Sequence, residues 1–154
     1  MMLNKVLALS ILIFSIITTI IIYGVVNGAG CSYELDNVKT SVNTDTFLTC
    51  YRGKIVALHY QREGVAPTSF STWKVEGRQL VFGKQVICFV YDRNKISGGD
   101  DDNENDRYNR LSQGYKMLFY HFEISNGKAY IFQTFPKRNL VIGDIEGRIS
   151  FFRK

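Results

Sequence analysis

Two histidines, three cysteines and one acid run are the side chains in this sequence with the clearest capacity for chemistry. His59 and His121 stand outside any His-Glu-x-x-His motif, and no second ligand follows at the spacing a tetrahedral metal requires. His121 lies two residues before Glu123, so a strand would place both on one face, an ordinary arrangement for a wetted surface. A Cys beside His59 or His121 would make a thiolate nucleophile. The Gly-x-Ser-x-Gly signature of a serine hydrolase is absent. Within Asp100 to Asp106, the residues Asp100, Asp102 and Glu104 alternate as calcium ligands would. An EF-hand loop starting at Asp100 needs Gly at its sixth position and Glu at its twelfth, where Asn105 and Leu111 stand. Starting at Asp102 gives Arg107 and Gln113 instead. The run reads as a solvated acidic loop, with weak calcium binding as the alternative and no other metal or cofactor expected.

What these residues can do depends on the compartment, which the amino terminus sets. Val6 to Val26 carries no charge, and as a helix it would be about 31 Å long, near the thickness of a bilayer's hydrocarbon. Lys5 precedes it and favours an amino terminus on the cytoplasmic side. A cleaved signal has a shorter apolar core, which favours an uncleaved signal-anchor over residues 1–30. Gly28-Ala29-Gly30 supplies the small residues that keep a cleaved signal peptide open. Either way the remaining domain is expected outside the cytoplasm, periplasmic or extracellular, and secreted if the segment is removed. Gly28-Ala29-Gly30-Cys31 is also similar to the end of a bacterial lipoprotein signal, which makes Cys31 a candidate for acylation, although Gly28 stands where that signal wants Leu.

An oxidising compartment turns three cysteines into one disulfide and a spare. Cys50 and Cys88 both lie within the folded region, so Cys50–Cys88 is the expected bond and Cys31–Cys50 the alternative. Pairing of this kind also lowers the thiol-enzyme reading.

The domain itself reads as all-β. Aromatic residues make up 14% of the chain, which favours strands. Residues 31–46 are polar and poorly periodic and are expected to form a linker or edge element, ahead of a β domain over 47–154. Strands are expected at 54–63, 69–75, 79–82 and 85–91, with Glu76-Gly77 and Gly83-Lys84 as turns too short for crossover helices. Residues 93–114 form the one long polar insertion and include the acid run. Asn126-Gly127 between two alternating segments is the strongest hairpin signal. It places Phe122 opposite Ile131 and Ile124 opposite Ala129. Leu118, Tyr120, Phe122, Ile124, Ala129, Ile131 and Phe135 then share a core face. His121, Glu123, Tyr130 and Phe132 fall on the other, a candidate ligand or partner face. Short strands at 139–142 and 148–152 follow. The expected architecture is an antiparallel meander of about eight strands, closed as a small barrel or stacked as a two-layer sandwich, behind an N-terminal hydrophobic helix.

Phe70-Ser-Thr-Trp73-Lys-Val75-Glu-Gly77, followed by Cys88-Phe-Val-Tyr91, resembles small exported bacterial proteins of unknown function. These share a Trp-x-Val-x-Gly … Cys-x-x-Tyr pattern and a lipocalin-like β-barrel. The resemblance covers Phe70 to Tyr91 and implies an exported barrel without assigned catalytic residues. The family's first Cys is replaced here by Val81 or Phe82, so its disulfide does not carry over.

The formal charge is +5 despite the acid run, so the rest of the domain is distinctly basic. An anionic envelope polymer, lipid or an apolar ligand fits that balance, and nucleic acid does not fit the compartment. The expected function is a non-enzymatic, membrane-tethered domain that binds a ligand or partner. A structural subunit of an envelope assembly is the alternative, and an envelope hydrolase using His59 or His121 is a third.

Overall fold

A computed structural model describes residues 2–41, 44–62, 70–98, 114–135 and 138–152. Helix α1 (Met2–Ala29) leads into eight antiparallel strands that close on themselves in sequence order. They are β1 (Ser32–Ser41), β2 (Thr44–Tyr51), β3 (Lys54–Arg62), β4 (Phe70–Phe82), β5 (Gln85–Gly98), β6 (Met117–Ser125), β7 (Lys128–Phe135) and β8 (Asn139–Arg148). Closure comes from β1 pairing with both β2 and β8, with Leu35 opposite Leu48 on one side and Ile145 on the other. The expected all-β barrel is therefore the fold, and a closed barrel leaves no free sheet edge at that seam.

Three sequence expectations change. Of the linker or edge element expected over 31–46, the strand alternative holds for residues 32–41, which form β1, though as a strand that closes the barrel and not as an edge. The inward residues Cys31, Tyr33 and Leu35 are buried, while Ser32, Glu34 and Asp36 face water. Polar outward residues hid the alternation. Glu76-Gly77 is not a turn, because β4 runs unbroken through it. Gly77 sits at a bulge where Tyr91 is the extra residue of β5, and a Cβ on Gly77 would lie 2.8 Å from the Phe89 carbonyl oxygen. Glycine here permits close strand approach. Residues 143–147 likewise continue β8, so 139–142 and 148–152 are not two strands.

The hairpin at Asn126-Gly127 forms as expected. Both residues take positive φ, and Phe122 pairs with Ile131 and Ile124 with Ala129. Phe135 departs from the expected core face. A register shift beyond Tyr120–Gln133 pairs it with Phe119, and both rings face outward with an edge contact at 6.5 Å.

Apolar side chains fill the half of the barrel nearer the helix. Leu35, Val81, Val86, Phe122, Ala129, Ile131 and Ile149 are buried there. Burying each of these side chains larger than Ala129 is worth about 1.5–3 kcal/mol before entropy is counted. The end itself is closed by hydrogen bonds. The Gln79 side chain accepts from the Tyr33 hydroxyl at 3.1 Å and donates to the Gly28 carbonyl at 3.2 Å and the Ile149 carbonyl at 2.9 Å. Asn27 donates to the Val81 carbonyl at 3.0 Å. Helix, barrel wall and carboxyl-terminal segment thus meet on two buried amides.

Gly24 and Gly28 let the helix come this close. Their spacing of four is the one that packs transmembrane helices against each other. Here it is spent on the barrel: a Cβ on Gly24 would strike the Phe82 ring at 2.2 Å, and one on Gly28 the Gln79 carbonyl oxygen at 2.3 Å.

The disulfide joins Cys31 to Cys50, with Cα atoms 5.8 Å apart. This corrects the expected Cys50–Cys88 bond. Cys50 pairs with Tyr33 across the β1–β2 ladder, next to Cys31, whereas Cys88 is on β5 and is free and buried. With its sulfur in the bond, Cys31 is also not available for acylation. Alkylation of the denatured, unreduced protein should label Cys88 alone, read by peptide mass. Cys31→Ser should cost about 3 kcal/mol in unfolding free energy. Gln79→Leu should cost a similar amount, about 3 kcal/mol, because it removes the partner of the buried Tyr33 hydroxyl and of the Ile149 carbonyl, while the Gly28 carbonyl keeps its bond from Cys31. Urea unfolding in detergent measures both.

Candidate binding site in the far half of the barrel

Away from the helix the barrel interior changes character. Inward alternation on β2, β3 and β4 brings Thr46, His59 and Trp73 to the inner wall, and Trp73 is only 3% exposed. The bulge at Tyr91 resets the phase of β5. Arg93 then pairs with Val75, and Lys95 with Trp73. Directly opposed residues in an antiparallel pair share a face, so both cations are carried on the inner side. Without the bulge they would have pointed outward.

His59 is held in place by its neighbours. Its Nδ1 lies 2.8 Å from the Thr46 hydroxyl, and Trp73 is its cross-strand partner. Burial first, and the nearby Arg93 charge second, push its pKa down to about 4. It is a neutral imidazole at physiological pH. The cluster therefore combines one aromatic plane, a neutral ring and two cations, which suits a ligand with an apolar body and an anionic group.

The wall beside this cluster is built differently from the rest. The β5–β6 ladder spans only Gln85–Phe89 against Met117–His121, extended by one backbone bond at each end, from Val90 to the Lys116 carbonyl and from Phe122 to the Lys84 carbonyl. Among the described residues, the strand pairing of Asp92 to Gly98 is with β4 alone. The interior cluster thus sits beside the one stretch where described strand pairing does not bridge β5 and β6.

The candidate face His121, Glu123, Tyr130 and Phe132 is brought together, but on the outer wall. His121 pairs with Phe132 and Glu123 with Tyr130. His121 Nδ1 lies 2.9 Å from the Gln85 amide, and Nε2 lies 3.1 Å from Glu123. Lys84 also bonds Glu123, and Lys84 first and His121 second hold its pKa below the usual range. This is a hydrogen-bonded surface network with an exposed Phe132 at its margin.

The remaining chemistry is dispersed. Cys88 faces the apolar core opposite Leu118, and burial pushes its thiol up to about 12, so it stays protonated. The spacing Ser71-x-x-Lys74 would unite a nucleophile and base on a helix. On β4 it splits them, with Ser71 buried inside and Lys74 outside, 2.6 Å from Glu76. Ser125-x-x-Lys128 spans the exposed β6–β7 turn, with Lys128 3.6 Å from Asp144. The calcium candidates Asp100, Asp102 and Glu104 lie outside the described residues.

Sequence reasoning missed Arg93 and Lys95, because they fall in what read as a polar insertion. The signal was available in Gly77, since a glycine inside an alternating strand marks a bulge. No protein-family model matches the chain, and no curated protein matches it in sequence.

His59 makes stability depend on pH in a defined window. Its folded pKa of about 4 lies below the unfolded value of 6.5, so between these values the unfolded chain binds a proton that the folded one does not. Stability should fall as pH drops from 6.5 towards 4, by up to about 3 kcal/mol. Glu76, lowered to about 2 by Lys74 and Lys54, acts only below pH 4.5. His59→Gln should flatten the profile between pH 6.5 and 5, as read from urea midpoints.

Proposed function

We propose that this protein is a membrane-anchored, non-enzymatic binding module. Its barrel stands outside the cytoplasm and takes a small ligand with an apolar body and an anionic group into its far half. The observation that carries the reading is the inner-wall cluster of Thr46, His59, Trp73, Arg93 and Lys95 at the end opposite α1. The ligand's apolar part would lie against Trp73, and its charge would be met by Arg93 and Lys95. A lipocalin-like use of the barrel, with the ligand held inside the strands, follows from the same placement.

Anchoring is supported by α1, which is long and apolar enough to cross a membrane and exposes its side chains along most of its length. The Cys31–Cys50 bond supports an oxidising compartment. An uncleaved anchor is favoured by the burial of Asn27, Gly28 and Gly30 in the junction, since cleavage in this stretch would remove residues that close the barrel.

A second reading, as a subunit of an envelope assembly, rests on the outer wall of β5–β8. There Phe89 faces Met117, Phe119 faces Phe135, and Phe132 faces Leu140, all at least partly exposed. Exposed apolar groups gathered in this way mark contact surfaces.

Trp73 is the only tryptophan in the chain, so its emission reports on the inner cluster directly. Titration of the detergent-solubilised protein with laurate should shift Trp73 fluorescence saturably, and the uncharged alcohol dodecanol should bind more weakly. Arg93→Gln should weaken laurate binding about tenfold, the loss of one charge-assisted contact. If neither compound changes the emission, the ligand-binding reading falls.

A further inference from the structure

The end of the barrel beside the helix carries a surface that the ligand-binding reading does not use. Helix α1 is exposed from Asn4 to Tyr23, and from Gly24 onward the barrel covers one side of it. Those twenty exposed residues span about 30 Å, one hydrocarbon thickness. The boundary therefore falls at Tyr23, and aromatic rings gather at that level. Tyr23 stacks on Phe152 with centroids 6.1 Å apart and planes 7° from parallel, and it lies 6.4 Å from Phe82. Phe152 is 76% exposed, and Phe151 beside it is also exposed. Aromatic side chains of this kind settle at the headgroup level of a bilayer.

Cations ring the same end. The β2–β3 turn carries Arg52, the β4–β5 turn Lys84, the β6–β7 hairpin Lys128, and the end of β8 Arg148, all exposed. Arg52 lies over the exposed Tyr51 ring at 5.3 Å and Arg148 over Phe151 at 5.5 Å. Lys84 and Lys128 are ion-paired to Glu123 and Asp144. Glu34 and Glu146 face each other on the wall nearby. An arginine stacked on an aromatic ring keeps its donors turned outward, suited to phosphate oxygens.

We propose that this rim is a docking surface for anionic phospholipid. Phe151, Phe152 and Phe82 enter the interface around the helix, while Arg52 and Arg148 engage lipid phosphates, so the barrel stands on the membrane by its closed end. The inference rests on α1 crossing the bilayer and is independent of the ligand site.

Full-length protein in nanodiscs of phosphatidylcholine, with and without phosphatidylglycerol, tests it by hydrogen exchange. Residues 51–53, 82–84 and 148–152 should exchange about tenfold more slowly with phosphatidylglycerol present. Arg52→Gln with Arg148→Gln should remove that difference while leaving exchange in residues 72–78 of β4 and in β7 unchanged. If α1 is protected and the rim exchanges equally in both lipids, the docking surface is wrong and the anchor stands. Rapid exchange throughout α1 would overturn the anchor and the docking surface together.

Discussion

A helix end buried against a β-barrel must find partners for carbonyls that water can no longer reach, and this constraint governs the whole junction. The last carbonyls of a helix have no partner within it. Here Gly28 gives its carbonyl to Gln79, and the same amide takes Ile149 from the carboxyl-terminal segment and the hydroxyl of Tyr33 from β1. Asn27 repeats the device one residue earlier, toward Val81 and, through its own carbonyl and side chain, toward Phe151 and Phe152. The barrel is sealed at this end by polar groups that satisfy one another. The tightened last turn adds its own bonds, from the Gly30 N–H to the Asn27 carbonyl and from the Cys31 N–H to the Gly28 carbonyl.

From that seal the interior grades along the barrel axis. Aliphatic packing occupies the sealed half, where the Cys31–Cys50 bond ties the first strand to the second. The Tyr91 bulge then changes which β5 residues face inward, and the far half receives Arg93 and Lys95 beside Trp73 and His59. One extra residue in one strand thus separates an aliphatic interior from one whose wall carries two cations. His59 shows the cost of that second interior, since burial and then the Arg93 charge push its pKa down to about 4.

The parts legible in the sequence were those with local causes. Asn126-Gly127 announced its hairpin because only certain residues take positive φ, and alternation about it assigned the faces of Phe122 and Ile131 correctly. The N-terminal helix was legible from uninterrupted apolarity. The parts that stayed hidden depended on closure. Residues 32–41 read as a linker or edge element until β8 came round to pair with them, and Cys50 was matched with Cys88 because Cys31 read as lying outside the folded region, whereas β1 starts beside it and pairs with the strand of Cys50. Gln79 read as one polar residue in a strand, since nothing local reveals that three separate segments converge on it. Arg93 and Lys95 were hidden by a bulge whose marker, Gly77, read equally well as a turn.

The Gly24 and Gly28 contacts have one more consequence. A domain on a flexible stalk sweeps a volume of solution above its membrane and meets partners at many heights and angles. This barrel has no stalk: helix passes to strand through Gly30 and Cys31 alone, and the joint is packed, hydrogen-bonded and cross-linked. On the proposed anchoring its far end stands at a fixed altitude, roughly 30 Å above the lipid for strands of this length and tilt. The molecule is then a pedestal, and whatever meets its far end must supply the reach.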